Sequence, residues 1–226
     1  MRVSAIHAAG NSCAEGAIYR NTQIATRKSQ NAKHNKDTAM FENENIIRNS
    51  TVDCILSRRS VRAYKDEPLT AAQLETVLYA GLWAPSGRNS QPLTVRALTG
   101  KDRLDALNAD FWRTVGPDAK PYSRCDVNPV YQTAPALILM FSESGAFTDA
   151  GIAAENMALA AKSLGLGSVI IASVGALFDG EYASKWKKTL EVPEEMRFLL
   201  AVAVGVPDED PPVKPRDAGK YRIIGE

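Results

Sequence analysis

Three stretches of this chain are apolar almost without interruption: Ala136-Leu-Ile-Leu-Met-Phe141, Val169-Ile-Ile-Ala172 and Phe198 to Val206. A strand with one face in water alternates apolar and polar residues, whereas runs like these belong to strands covered on both faces. Between them the apolar spacing changes to that of helices. Leu74, Val77, Leu78, Gly81 and Leu82 recur at i, i+3, i+4, i+7 and i+8 behind a Thr70–Gln73 capping box, and Pro85 ends the pattern. Ser50 to Asp53 reads as a second capping box, with Val52, Ile55 and Leu56 on one face. Lys101–Phe111 directs Leu104, Leu107 and Phe111 inward. Asp149 caps a helix to Leu164 with an Ala153, Met157, Ala160, Ala161 and Leu164 stripe and Gly165 as its stop, its alanines permitting close packing within or between subunits. Glu181–Leu190 carries Tyr182, Trp186 and Leu190. Leu93–Leu98 adds a strand, and residues 113–132 read as a long loop. Helices interleaved with fully covered strands give an α/β or α+β sandwich around a central sheet.

The charge balance is made of two unlike parts. Across 226 residues, 27 basic and 26 acidic groups leave +1, which predicts no general attraction to nucleic acid or anionic lipid. Residues 1–39 hold six Lys/Arg and two acids, so the remainder carries 21 basic and 24 acidic groups, or −3. The leader, taken through residue 48, is polar and basic. It reads as disordered, as a transit-like segment, or as sequence ahead of a start at Met40. Residues 49–226 form the folded domain, whose tail from Pro207 has four prolines and reads as extended. No apolar run reaches the ~18 residues of a membrane span.

Both histidines, His7 and His34, precede Met40. The folded part therefore has no Ser-His-Asp triad, no Cys-His pair and none of the common histidine-zinc sites. Cys13, Cys54 and Cys125 are too few and too scattered for a disulfide framework, which favours a reducing cytoplasm. Chemistry here must use carboxylates, amines or a cofactor.

Three constellations stand out. Arg58-Arg59-Ser60-Val61-Arg62 concentrates three guanidiniums and a hydroxyl in five residues, a donor set suited to phosphate. In an extended segment Arg58, Ser60 and Arg62 share one side. The alternatives are a solvated basic face or cations complementing a helix C-terminus. Pro85-Ser86-Gly87-Arg88-Asn89-Ser90-Gln91-Pro92 is a polar loop able to read a heteroaromatic edge, or simply a loop, and Lys214-Pro215-Arg216 is a cationic pair on a stiff terminus. Gly165-Leu166-Gly167 precedes a strand and lacks the third glycine of a dinucleotide fingerprint, and no phosphate-binding P-loop occurs.

Together these motifs, with Asp149, Ala154-Glu155-Asn156-Met157 and Gly165-Leu166-Gly167, resemble the nitroreductase family between about Asn49 and Arg216. The resemblance implies a three-layer sandwich with a central mixed β-sheet flanked by helices. It implies a homodimer with FMN at the subunit interface, using NADH or NADPH to reduce nitroaromatics, quinones or similar flat acceptors in a ping-pong cycle. Arg58, Arg59, Ser60 and Arg62 should then hold the phosphate and pyrimidine side, with Lys214 and Arg216 closing on the phosphate. Pro85, Ser86, Gly87 and Asn89 of the other subunit should line the flavin, Asn108 should contact its pyrimidine, and the Ser173-Val174-Gly175 backbone should approach N5. Many relatives carry an acid where Val174 stands. Flavin N5 carries the hydride, so no side chain is assigned as catalytic and no metal is expected. Trp83 and Trp186 lie at core spacing, as does Cys54, whereas Trp112, Tyr122, Tyr131 and Phe147 are candidates for roofing a flavin. A non-redox FMN-binding or flavin-processing protein of the same fold, and an anion-binding interaction module using Arg58–Arg62, are the rival readings.

Overall fold

A computed structural model of the chain describes residues 46–119 and 129–225. The leader's first 45 residues, Tyr122 and Cys125 lie outside the described residues. Two compact units are distinguished, one spanning Arg48–Pro212 and one whose described residues are 46, 47 and 213–225. Every described α-helix and strand belongs to Arg48–Pro212. The other unit contains a single-turn 3-10 helix, Ala218–Lys220, started by the Asp217 side chain accepting from Gly219 N at 2.9 Å.

Six α-helices and four strands make up the larger unit as described: α1 Ser50–Ser57, α2 Ala71–Leu82, β1 Thr94–Thr99, α3 Lys101–Val115, β2 Ala136–Ser142, α4 Phe147–Ser163, β3 Gly167–Ile171, α5 Gly175–Phe178, α6 Ala183–Thr189 and β4 Arg197–Gly205. The strands form one sheet in the order β1-β2-β4-β3, with all three pairings antiparallel. The sheet is thus antiparallel where a mixed one was expected, and the parallel contact among the described residues is an isolated bridge from outside the strands, Ser60 beside Ser168 of β3.

The apolar runs of β2 and β4 alternate between two cores, whereas the edge strand β3, expected to be covered on both faces, buries Val169 and Ile171 on one side and leaves Ile170 exposed on the other. Leu137, Leu139, Phe141, Val169, Ile171, Ala201 and Ala203 face Leu104, Leu107 and Phe111 of α3, Leu177 and Phe178 of α5, and Trp186 of α6. Ile138, Met140, Val202 and Val204 face Val77 of α2 and Ala150, Ala153, Ala154, Met157 and Ala161 of α4. This is an α+β sandwich of three layers. Near the start of β4 the register skips Leu199, because Met140 pairs with Leu200 while Phe141 pairs with Phe198. The bulge sends Leu199 to the α2/α4 side and returns Phe198 to the other. There it stacks on Phe178 at 5.1 Å and meets Phe141 edge-on at 5.8 Å. The alanines of α4 serve packing within the subunit. They leave room for α2, whose Gly81 has no space for a β-carbon, since one would lie 2.1 Å from Met157 Cε.

The helix ends differ from the sequence expectation where caps compete. Thr70 and Gln73 form the capping box foreseen. At α1, however, the cap is Asn49 and not Ser50: the Asn49 side chain accepts from Val52 N at 2.9 Å, and Asp53 instead pairs with Arg48. Asn49 takes the extended conformation that an N-cap requires, shifting the motif back one residue. Helix α3 runs to Val115 and shortens the long loop, α4 begins at Phe147 ahead of Asp149, and α6 is confined to Ala183–Thr189. Gly165, at φ +76, ends α4 as foreseen. Leu166 N donates to Ala161 O and Gly165 N to Lys162 O, which together close a Schellman motif. Trp186 is core as expected, but Trp83 is not: it follows α2 with 71% of its surface exposed.

Candidate functional site

The arginine segment starts where α1 stops. Arg58 is the α1 C-cap in an extended conformation, and its N–H donates to Cys54 O at 3.0 Å. Arg59 turns its guanidinium back over the helix end, donating to Leu56 O at 2.7 Å and Arg58 O at 2.6 Å. Arg59 thus fulfils the helix-terminus reading of this cluster. Ser60 then bridges to Ser168, and Val61 N donates to Ser168 O at 3.0 Å. Val61 can come this close because Gly167 lacks a β-carbon, which would stand 2.9 Å from Val61 Cβ. The Gly165-Leu166-Gly167 motif is therefore a helix stop followed by a close approach.

The Arg58 side chain is half-buried and reaches Glu155 of α4, with Nε 3.2 Å from Oε1. Its Nη groups make no hydrogen bond to any described residue. Arg62 is exposed, and its Nη1 lies 3.4 Å from Ser60 O. A pocket of about 100 Å³ opens beside this segment, lined in part by Arg58, Arg59, Lys162, Gly167, Ser168 and Glu209. Lys162 and Glu209 carried no sequence signal, because they come from the end of α4 and from beyond β4. Cys54 is half-buried, with its thiol directed to Leu159 O at 3.5 Å; burial, only partly offset by the Lys162 charge, pushes its pKa up.

The second motif follows α2. Ser86 organises the loop, its backbone carbonyl accepting from Asn89 N at 3.0 Å and its hydroxyl from Gln91 N at 2.9 Å. Arg88, Asn89 and Gln91 all have positive φ, at 55°, 55° and 47°. Non-glycine residues held there store on the order of 1–3 kcal/mol each, and such strain concentrates at functional loops. A recess of about 150 Å³ joins Pro85, Ser86, Gln91 and Pro92 to Leu82 and Asp149. Gly87 and Asn89 bound a 3-10 turn and are exposed.

The remaining sequence-derived residues occupy separate places. Ser173, Val174 and Gly175 form the turn between β3 and α5, where Gly175 N donates to Ala172 O at 3.0 Å. The Val174 side chain is wholly buried in the core. Asn108, on α3, uses Oδ1 to accept from Val130 N at 2.8 Å. Tyr131 is buried and donates to Asp105, whose pKa is lowered by hydrogen bonds from Tyr131 and Lys101. Phe147 is exposed and Trp112 half-buried, standing at a separate surface recess with Arg113 and Pro117. Lys214 and Arg216 are exposed in the other unit, with Arg216 Nη1 3.3 Å from Lys214 O. Arg58, Arg59 and Ser60 are thus brought together at the open edge of β3, while the Pro85–Pro92 loop is organised around α2 and Asp149.

Residues 55–206 match the model of the nitroreductase family. The chain belongs to the nitroreductase family. Among curated relatives of this nitroreductase-family chain, an NADPH-flavin oxidoreductase from Vibrio harveyi is 32% identical over 181 residues, covering 74% of this chain and 70% of the relative. Among solved structures, a Bacteroides fragilis nitroreductase with bound FMN is 30% identical at a TM-score of 0.71, covering 79% of this chain and all of that one. A Desulfitobacterium hafniense nitroreductase with bound FMN is 26% identical at a TM-score of 0.73, again across 79% of this chain and all of the other.

Proposed function

We propose that this protein is an FMN-dependent oxidoreductase that takes hydride from NADH or NADPH and passes it to nitroaromatics, quinones or similar flat acceptors, alternating the two half-reactions in one site. The observation that carries the reading is the guanidinium cluster at the edge of β3: Arg58 is held by Glu155 through Nε alone, and a pocket opens beside it. Guanidinium N–H donors match phosphate oxygens in geometry and charge. FMN, when bound, supplies the hydride acceptor and donor that no protein side chain offers.

The chain's own residues bind and orient. Arg58, Ser60 and Arg62 hold the phosphate and pyrimidine side, while Arg59 keeps its guanidinium on the end of α1. Asn108 and the Ser173–Gly175 backbone lie toward the ring. Pro85, Ser86, Gly87 and Asn89 come from a second copy. That homodimer is supported by the apolar surface of the outer helices, where Tyr79, Leu82, Trp83, Phe147 and Ile152 are exposed. Free Cys54 agrees with the cytoplasm, and no described helix is long and apolar enough to cross a membrane.

Purified protein loaded with FMN should be yellow, and under anaerobic conditions it should oxidise NADH or NADPH beyond one equivalent per flavin only when menadione or nitrofurazone is present. An FMN-loaded protein that oxidises neither nicotinamide under those conditions defeats the oxidoreductase reading. Arg58→Ala should weaken FMN binding roughly ten- to a hundredfold, as expected for one charge-assisted hydrogen bond of about 1.5–3 kcal/mol, measured by flavin fluorescence titration of apoprotein.

A further inference from the structure

Segment 60–65 changes partners part-way along. At its start Ser60 bridges in parallel to Ser168, and Val61 N donates to Ser168 O. At its end it runs antiparallel to the chain leaving β4: Lys65 N donates to Val206 O at 2.9 Å, Asp208 N to Ala63 O at 2.9 Å, and Tyr64 bridges Pro207. Arg62 sits at the crossing. Its backbone N–H donates to Glu209 Oε1, and the same oxygen accepts from Ala63 N at 3.2 Å.

Successive N–H groups of an extended strand point to opposite sides, so two of them meeting at one oxygen require the chain to bend between them. One carboxylate therefore holds the bend from which the Arg62 side chain departs. Tyr64 supports it from below, with its hydroxyl 2.6 Å from Val61 O. Burial chiefly, and then the Glu209 charge, pushes the Tyr64 pKa up and keeps the phenol protonated as a donor.

A carboxylate beside three arginines opposes anion binding by its charge alone. Its presence is explained by the geometry that it imposes.

We infer that Glu209 is a positioning residue of the cofactor site, acting through the backbone of Arg62 and Ala63 to aim the Arg62 side chain. The inference rests on the proposed FMN reading. Two consequences separate position from charge. Glu209→Gln keeps an acceptor oxygen and removes the charge, so it preserves the bend. Glu209→Ala removes both.

The test is FMN titration of the apoprotein for the wild type, E209A, E209Q, R62A and the E209A/R62A double variant, with hydrogen exchange followed across residues 58–65. E209A should bind FMN about tenfold more weakly and exchange its Arg62 and Ala63 amides faster. E209Q should bind at least as tightly as the wild type. The double variant should bind no more weakly than R62A, since Glu209 works through Arg62 and the two losses are not additive. Wild-type affinity in E209A, an E209Q loss equal to that of E209A, or an E209A loss repeated in full on the R62A background overturns the role of Glu209. An R62A variant that binds FMN like the wild type overturns the site reading itself, and the inference with it.

Discussion

Asp110 is the one buried charge among the described residues, with 1% of its surface exposed. Burial pushes its carboxyl pKa up, but hydrogen bonds from Lys185, Trp186 and Arg113 outweigh that and hold it below the usual carboxylate range. A group whose pKa falls on folding stabilises the fold above its unfolded pKa, and that contribution is lost as pH drops through the folded pKa. Asp110→Asn should therefore destabilise the protein by about 1–3 kcal/mol at neutral pH, as disrupted hydrogen bonds at a buried group do. The deficit should shrink in acid, as the pH falls through the lowered folded-state pKa and the wild-type carboxyl itself takes up a proton. Urea unfolding at pH 7 and in acid measures both; an undiminished gap in acid contradicts the assignment. Residues of this kind are where the sequence is least legible. Asp110 and Lys185 are 75 positions apart and Arg62 and Glu209 are 147 apart, so no local pattern marks either contact. The Arg58–Arg62 cluster, by contrast, is visible in the sequence because its three guanidiniums stand within five residues.

At the scale of elements, legibility follows periodicity. Continuous apolar runs locate β2, β3 and β4, and the Thr70–Gln73 box starts α2, because each is decided within a few residues of chain. Trp83 defeats the same logic, since an apolar stripe that faces solvent has the spacing of one that faces the core. The glycines at strand ends were equally silent, because their purpose lies with distant partners. A β-carbon on Gly205 would lie 2.5 Å from Pro135 Cδ and 2.8 Å from Tyr64 Cδ1, neither of them on a flexible chain. Gly205→Ala should cost about 1–3 kcal/mol, the usual penalty of overpacking, read as a lowered urea midpoint with an unchanged slope. A midpoint equal to that of the wild type would show that the contact yields.

For the whole molecule, the proposed homodimer would bury the exposed side of α2. Tyr79 and Trp83 meet edge-on with centroids 6.0 Å apart, forming an aromatic pair of the sort that anchors interfaces. Trp83→Arg should move the protein from dimer to monomer in sedimentation velocity, at a cost of about 2 kcal/mol or more in association, as for a central aromatic anchor. FMN affinity should fall with it, because the Pro85–Pro92 loop would no longer reach a partner. An unchanged sedimentation coefficient would remove this face from the interface.

The strand order carries a demand of another kind. β4 lies between β2 and β3, yet it is the last of the four in the chain. While a ribosome is making residues up to Met196, β2 has one neighbour and an open apolar edge, and β3 has no described strand to pair with. Such edges are where one nascent copy joins another. The sheet closes only when the final strand is inserted at its centre, so the burden of keeping partly made chains apart falls on the interval between translation of β2 and translation of β4.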